Sequence, residues 1–191
     1  MMELLYDYSG DFDPAFDHSK LSKEGLVDLL HTYSDYIRRL DGHWYLSVMN
    51  RCGNDTAFAC DTEVWERLVL YELRIASELL NIRGDDAVAL AKVFQASPWF
   101  WMYRCGIDLK SRDHLIITYT SCPTLLALER EGAGREQQIC VDLEMKIFMK
   151  MAHFYNPKMK VTALKLPPRR SVDDICCQWE FKIDRKKNEA E

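Results

Sequence analysis

Apolar residues recur every three or four positions from Ser22 onward, and Leu26, Leu29, Leu30, Tyr33, Ile37 and Leu40 mark one face of a helix that Ser22 caps and Asp41-Gly42 ends. A second helical stretch, His43 to Met49, runs into the turn cluster Cys52-Gly53-Asn54-Asp55. Asp61-Thr62-Glu63 starts a third, with Val64, Leu68, Tyr71, Leu73, Ile75 and Leu79 beneath it, and Gly84-Asp85-Asp86 stops that helix and caps another through Phe94. The first half therefore reads as a helical layer. An irregular arm, residues 1–21, precedes it, with Tyr6, Tyr8, Phe12 and Phe16 as candidate anchors.

After Ser97-Pro98 the pattern turns aromatic and β-branched, which predicts strands at Trp99 to Ile107 and His114 to Ser121 around the polar turn Asp108 to Asp113. Cys122-Pro123 opens a short helix through Glu131, Pro being favoured at the first helical position, and Gly132-Ala133-Gly134 breaks it. A long helix, Arg135 to Tyr155, ends at Asn156-Pro157, and two more strands follow, Met159 to Leu166 and Ile175 to Ile183. The sum is an α+β fold: one domain, residues 22–184, with a helical part (22–96) packed on an antiparallel sheet of about four strands and its helices (97–184). Residues 185–191 form a charged tail.

Composition narrows the function. Of 191 residues, 48% are apolar and 29% charged, a globular balance that excludes a disordered or fibrous chain. Twenty-five Lys and Arg against 30 Asp and Glu leave a net charge of −5, which argues against nucleic acid because phosphate binding needs a basic footprint. Apolar runs are too short to span a bilayer and no basic-then-apolar leader stands at the N-terminus, so the reading is a cytoplasmic protein with no membrane partner. Its candidate partners are a small-molecule ligand and a second copy in a homodimer. Seven cysteines without a repeating spacing read as reduced thiols.

The helix from Arg135 carries the sharpest chemical signal, because Asp142, Lys146, Lys150 and His153 define its wet side and Glu144 falls opposite them, with Cys140, Ile147 and Met151. An ionised carboxylate there costs several kcal/mol unless it is paired, metal-bound or protonated. Either it satisfies an arginine or the sheet backbone, or it serves as general acid or base. Cys122 stands where a strand meets a helix N-terminus, a position that lowers a thiol pKa, so Cys122 or Cys140 is the candidate nucleophile and is expected to label near neutral pH. Strand alternation points Cys177, with Ile175, Trp179 and Phe181, inward and Cys176 outward. Cys122, Cys140, Glu144 and Cys177 together have the ligand types of a mixed thiolate–carboxylate zinc site, though without metal-ligand spacing. Those three thiols are expected to converge, and Cys52, Cys60 and Cys176 to stay apart. His43, Trp44, Trp101 and Trp179 are candidate substrate contacts; His114 and His153 read as solvated. The aromatic run Trp99 to Tyr103 reads as core or as a pocket wall.

These residues carry a resemblance. Cys122-Pro123, Leu128-Glu129 with Gly132, Cys140 with Glu144, Asn156-Pro157 and the closing Cys176-Cys177-Gln178-Trp179-Glu180-Phe181 resemble a family related to L-2-amino-thiazoline-4-carboxylic acid hydrolase-like proteins, and more distantly the 4-vinyl reductase ligand-binding domain. The likeness spans about Trp99 to Asp184, with looser matches at Gly42-His43-Trp44 and Asp61 to Trp65. The first resemblance implies opening of a C–N bond in a small cyclic amidine or related compound, with Cys140 near the pocket. The second implies small-molecule or tetrapyrrole binding, in some members with zinc held by Cys and Glu. Ala163 to Val172 offers neither residue where those relatives supply them.

Overall fold

A computed structural model describes residues 4–185. Two long antiparallel helices, α1 (Lys23–Cys52) and α2 (Asn54–Leu79), begin the fold and are joined by Gly53 alone. Gly53 adopts φ 86° and ψ 161°, a conformation that a Cβ makes costly, so the chain reverses there at a residue suited to it. Ser22 caps α1, its side chain accepting from Gly25 N at 3.1 Å. Helix α3 (Ala87–Ala96) starts at Asp86, whose carboxylate accepts from Ala89 N at 3.0 Å, and α4 (Pro98–Met102) follows at once.

Strands β1 (Arg104–Ser111), β2 (His114–Ser121), β3 (Met159–Lys165) and β4 (Cys177–Ile183) form one antiparallel sheet in the order β1-β2-β4-β3. Between β2 and β3 lie α5 (Pro123–Glu131), a π-helical stretch (Gln137–Leu143) and α6 (Glu144–Tyr155). The α+β architecture is therefore as the sequence indicates. Helices α3 and α6 cover the sheet, and Phe94, Phe148, Trp179 and Phe181 meet between them with ring centroids 4.9 to 5.9 Å apart. Edge-to-face contacts of this kind add to their area burial.

Four local expectations are corrected. Helix α1 does not stop at Asp41-Gly42 and restart at His43; it runs through, because Gly42 has no positive φ and Asp41 is anchored by the Trp65 indole, whose N–H donates to Asp41 Oδ1 at 3.2 Å. Helix α2 begins at Asn54 rather than Asp61. Trp99 to Met102 are not strand: Ser97 accepts from Trp99 N at 3.3 Å and Pro98 takes the first turn, so local capping overrides aromatic β-propensity. The expected long helix from Arg135 is a π-helical stretch followed by a regular helix.

The apolar stripe expected beneath α1 faces outward instead. Leu30, Tyr33, Ile37 and Leu40 are exposed, as are Val64, Leu68, Tyr71, Ile75 and Leu79 of α2, because both helices turn a different side to the rest of the chain. In the arm, Tyr8 and Phe16 stack at 4.4 Å, Tyr6 donates to Asp28 at 2.7 Å, and Phe12 stays in solvent. Residues 1–3 of the arm, and the tail apart from Arg185, lie outside the described residues. No helix among the described residues is long and apolar enough to cross a membrane.

Candidate functional site

The side that α1 and α2 turn inward, together with the π-helical stretch, α6 and the sheet, encloses a cavity of about 280 Å³. Arg38, Asp41 and Tyr45 reach it from α1, one helical turn apart, and Asp61, Trp65, Val69 and Glu72 reach it from α2 at the same spacing. Trp99 comes from α4, Tyr119 from β2 and Trp179 from β4. The wide π turn brings Ile139, Cys140, Leu143 and Glu144 together on the cavity side, a feature such turns often supply at functional sites. Tyr45 donates to Asn54 Oδ1 at 2.9 Å and Asn54 donates to Gln138 at 2.6 Å, which fixes both helices against the π turn.

Four carboxyl groups face this space. Glu144 is enclosed by protein, and the surface that it keeps is the cavity's. Burial raises its carboxyl to about 7, and the charges of Asp61 and Asp41 push the same way. Asp61 is only 4% exposed, its Oδ1 has no hydrogen-bond partner, and burial with the adjoining Asp41 raises it to about 7 as well. Burial also raises Asp41 and Glu72, the first against its hydrogen bond from Trp65. Two groups poised near neutrality in one enclosed space are what acid–base chemistry needs.

The thiols behave differently from the expectation. Cys122 caps α5, its sulfur accepting from Leu125 N at 3.3 Å, yet burial outweighs that bond and lifts the thiol to about 11. Burial drives Cys140 and Cys177 further up, and Glu144 adds to both. The helix terminus does not produce a thiolate because the sulfur is desolvated and faces a carboxylate. Cys122, Cys140 and Cys177 do line one cavity, while Cys52 and Cys60 do not. Cys176 joins them, contrary to its expected outward orientation, because it precedes the first residue of β4 and its alternation does not apply there; it is fully buried. Among the described residues no group of three or more His, Cys, Asp or Glu side chains is arranged to hold a metal ion, so the zinc set Cys122, Cys140, Glu144 and Cys177 does not close.

Of the expected substrate contacts, Trp179 lines the cavity, whereas His43, Trp44 and Trp101 do not. With α1 continuous through Gly42, Tyr45 takes the inward position and leaves His43 and Trp44 in solvent. Trp101 is 60% exposed and packs on His31 at 4.9 Å, while Trp99 occupies the wall and meets Trp65 at 4.7 Å. His114 is not free in solvent: its Nε2 lies 2.8 Å from Glu180 Oε1. Sequence reasoning missed Asp41, Asp61 and Glu72. The usable signal was the spacing Asp61-Trp65-Val69-Glu72, which puts two acids on an otherwise apolar helical face.

Residues 19–183 match the model of a family of unknown function, DUF6125, and the chain belongs to that family. No curated protein and no solved structure matches the chain.

Proposed function

We propose that this protein binds a small molecule in the cavity between the helix pair and the sheet, and that its ancestry is hydrolase-like. The observation that supports the reading is the cavity itself, walled by Trp65, Trp99, Tyr119 and Trp179 and carrying the unpartnered acid oxygens Asp61 Oδ1 and Glu72 Oε1. Apolar walls with a few convergent polar groups are the usual make-up of a ligand site. The direct test is heteronuclear NMR with indole as a neutral probe, following the tryptophan side-chain N–H signals. Selective shifts of Trp65, Trp99 and Trp179 that disappear when Val69→Trp fills the cavity support the reading; unchanged signals at millimolar indole overturn it.

Two carboxyl groups raised to about 7 also favour a catalytic form of this reading, hydrolysis of a C–N bond without a cysteine nucleophile. Ionised Glu144 would take a proton from water as its oxygen adds to carbon, and protonated Asp61 would deliver one to the departing nitrogen. A second copy of the chain is the proposed protein partner. Five exposed residues on α1 (Leu30, Tyr33, Ile37, Leu40, Trp44) and five on α2 (Val64, Leu68, Tyr71, Ile75, Leu79) repeat at steps of three and four, the spacing of a helix–helix seam. At roughly 200 Å² per bare side chain and about half exposure the two stripes together expose roughly 1,000 Å², about what one side of a stable dimer buries.

A further inference from the structure

Resting on the pocket reading above, we infer that the ligand is an organic cation, an amine or ammonium group on a small apolar body, held by the carboxyl groups of Asp61 and Glu144 and by the aromatic walls. Asp41, Asp61, Glu72 and Glu144 converge on one cavity, and among the described residues the only cationic side chains in its lining are Arg38 and Arg135. The two arginines of the lining are engaged elsewhere. Arg38 is paired with Asp35 at 2.6 Å, and Arg135 is paired with Glu131 at 2.7 Å while its guanidinium covers the Tyr45 ring at 5.0 Å. Asp61 Oδ1 and Glu72 Oε1 are buried atoms without a partner, and each such acceptor costs free energy unless something donates to it.

A neutral ligand would meet some of these acceptors and leave the charge uncompensated. A metal ion would need ligands closer together than any group among the described residues provides. An anion would be repelled by the carboxylates and would meet only arginines already paired with Asp35 and Glu131. An organic cation satisfies the remaining requirements at once, because its N–H donors reach the carboxylates and its positive charge is attracted to the faces of Trp65, Trp99, Tyr103 and Tyr119, which surround the same space. Its apolar body then fills the part of the cavity walled by Val69, Leu143 and Ile147. Binding converts protonated carboxyls to carboxylates, so complex formation near neutral pH releases protons.

The test is titration calorimetry of the whole chain with benzylammonium and with its neutral isostere benzyl alcohol, each in two buffers of different ionisation enthalpy at pH 7. The expected result is binding of the ammonium at least tenfold tighter than the alcohol, with proton release for the ammonium alone. Glu144→Gln should reduce that preference at least fivefold, weakening the ammonium far more than the alcohol. Equal affinities in the wild type, which requires no variant to fold, overturn the inference and leave the pocket intact. If neither compound binds and indole is also without effect on the tryptophan signals, the pocket reading itself fails.

Discussion

Glu144 and Asp61 set the pH response of the folded chain. Each has a folded-state pKa near 7, against 4.5 and 3.8 as ordinary values, so the native state holds protons that the unfolded chain has given up. For a raised acid the contribution to stability is fully present below the ordinary pKa, declines as pH rises through the interval up to about 7, and is absent above it. Denaturant unfolding is therefore expected to show the free chain less stable at pH 8 than at pH 5. Glu144→Gln should flatten this dependence and raise stability at pH 8 by about 1–3 kcal/mol, since an amide needs no ionisation in that space. A stability that climbs from pH 5 to pH 8 in the wild type would show that these acids are solvated.

The thiols give a second expectation at this scale. Cys52 is exposed, whereas Cys122, raised to about 11, and Cys140 and Cys177, raised further, are enclosed. Iodoacetamide at pH 7 should modify Cys52 in the folded protein and reach those three only after unfolding, as mass spectrometry of digested samples will show. Prompt labelling of Cys122 would restore the nucleophile that burial argues against. The inward placement of Glu144 was legible in the sequence because Glu144, Ile147 and Met151 share a face of the regular helix that follows the π-helical stretch. The state of Cys122 was not, since the capping position is a local property and desolvation depends on what packs over it.

At the scale of the element, helix α1 and its junction with α2 separate two glycines that look alike in the sequence. Gly42 sits inside a continuous exposed helix, a Cβ there meets nothing within 4 Å, and the site has ordinary helical backbone. Gly42→Ala should stabilise the protein by about 0.5–1 kcal/mol. Gly53 also has open space around it, but its φ of 86° disfavours any L side chain. Gly53→Ala should cost about 1–3 kcal/mol despite the empty surroundings. Urea midpoints of the two variants check both signs, and a destabilising Gly42→Ala would mean that α1 does break there. Strands β2, β3 and β4 and helices α3 and α5 were readable because period and caps agreed with tertiary packing. Segments where they disagreed, Trp99 to Met102 above all, were decided by the Ser97-Pro98 cap, the same signal that located α5 correctly at Cys122-Pro123.

For the whole molecule, the apolar stripes of α1 and α2 were legible as helices and, apart from the buried Leu73, mostly misread as core, because periodicity reports that a face is covered without reporting by what. In a single chain they remain in water. Burial against the proposed second copy would account for their spacing and their area together, and a two-fold arrangement would let the same surface serve both partners. Folding then couples to association: each tenfold rise in protein concentration should add up to about 1.4 kcal/mol of apparent stability, raising the thermal midpoint by a few degrees. Leu40→Glu combined with Ile75→Glu should abolish that dependence and halve the sedimenting mass, while the pocket, to whose lining neither residue contributes, keeps its indole response. A wild-type chain that sediments as a monomer at every concentration, with a fixed thermal midpoint, would leave the stripes to some other partner and remove the second copy from the reading.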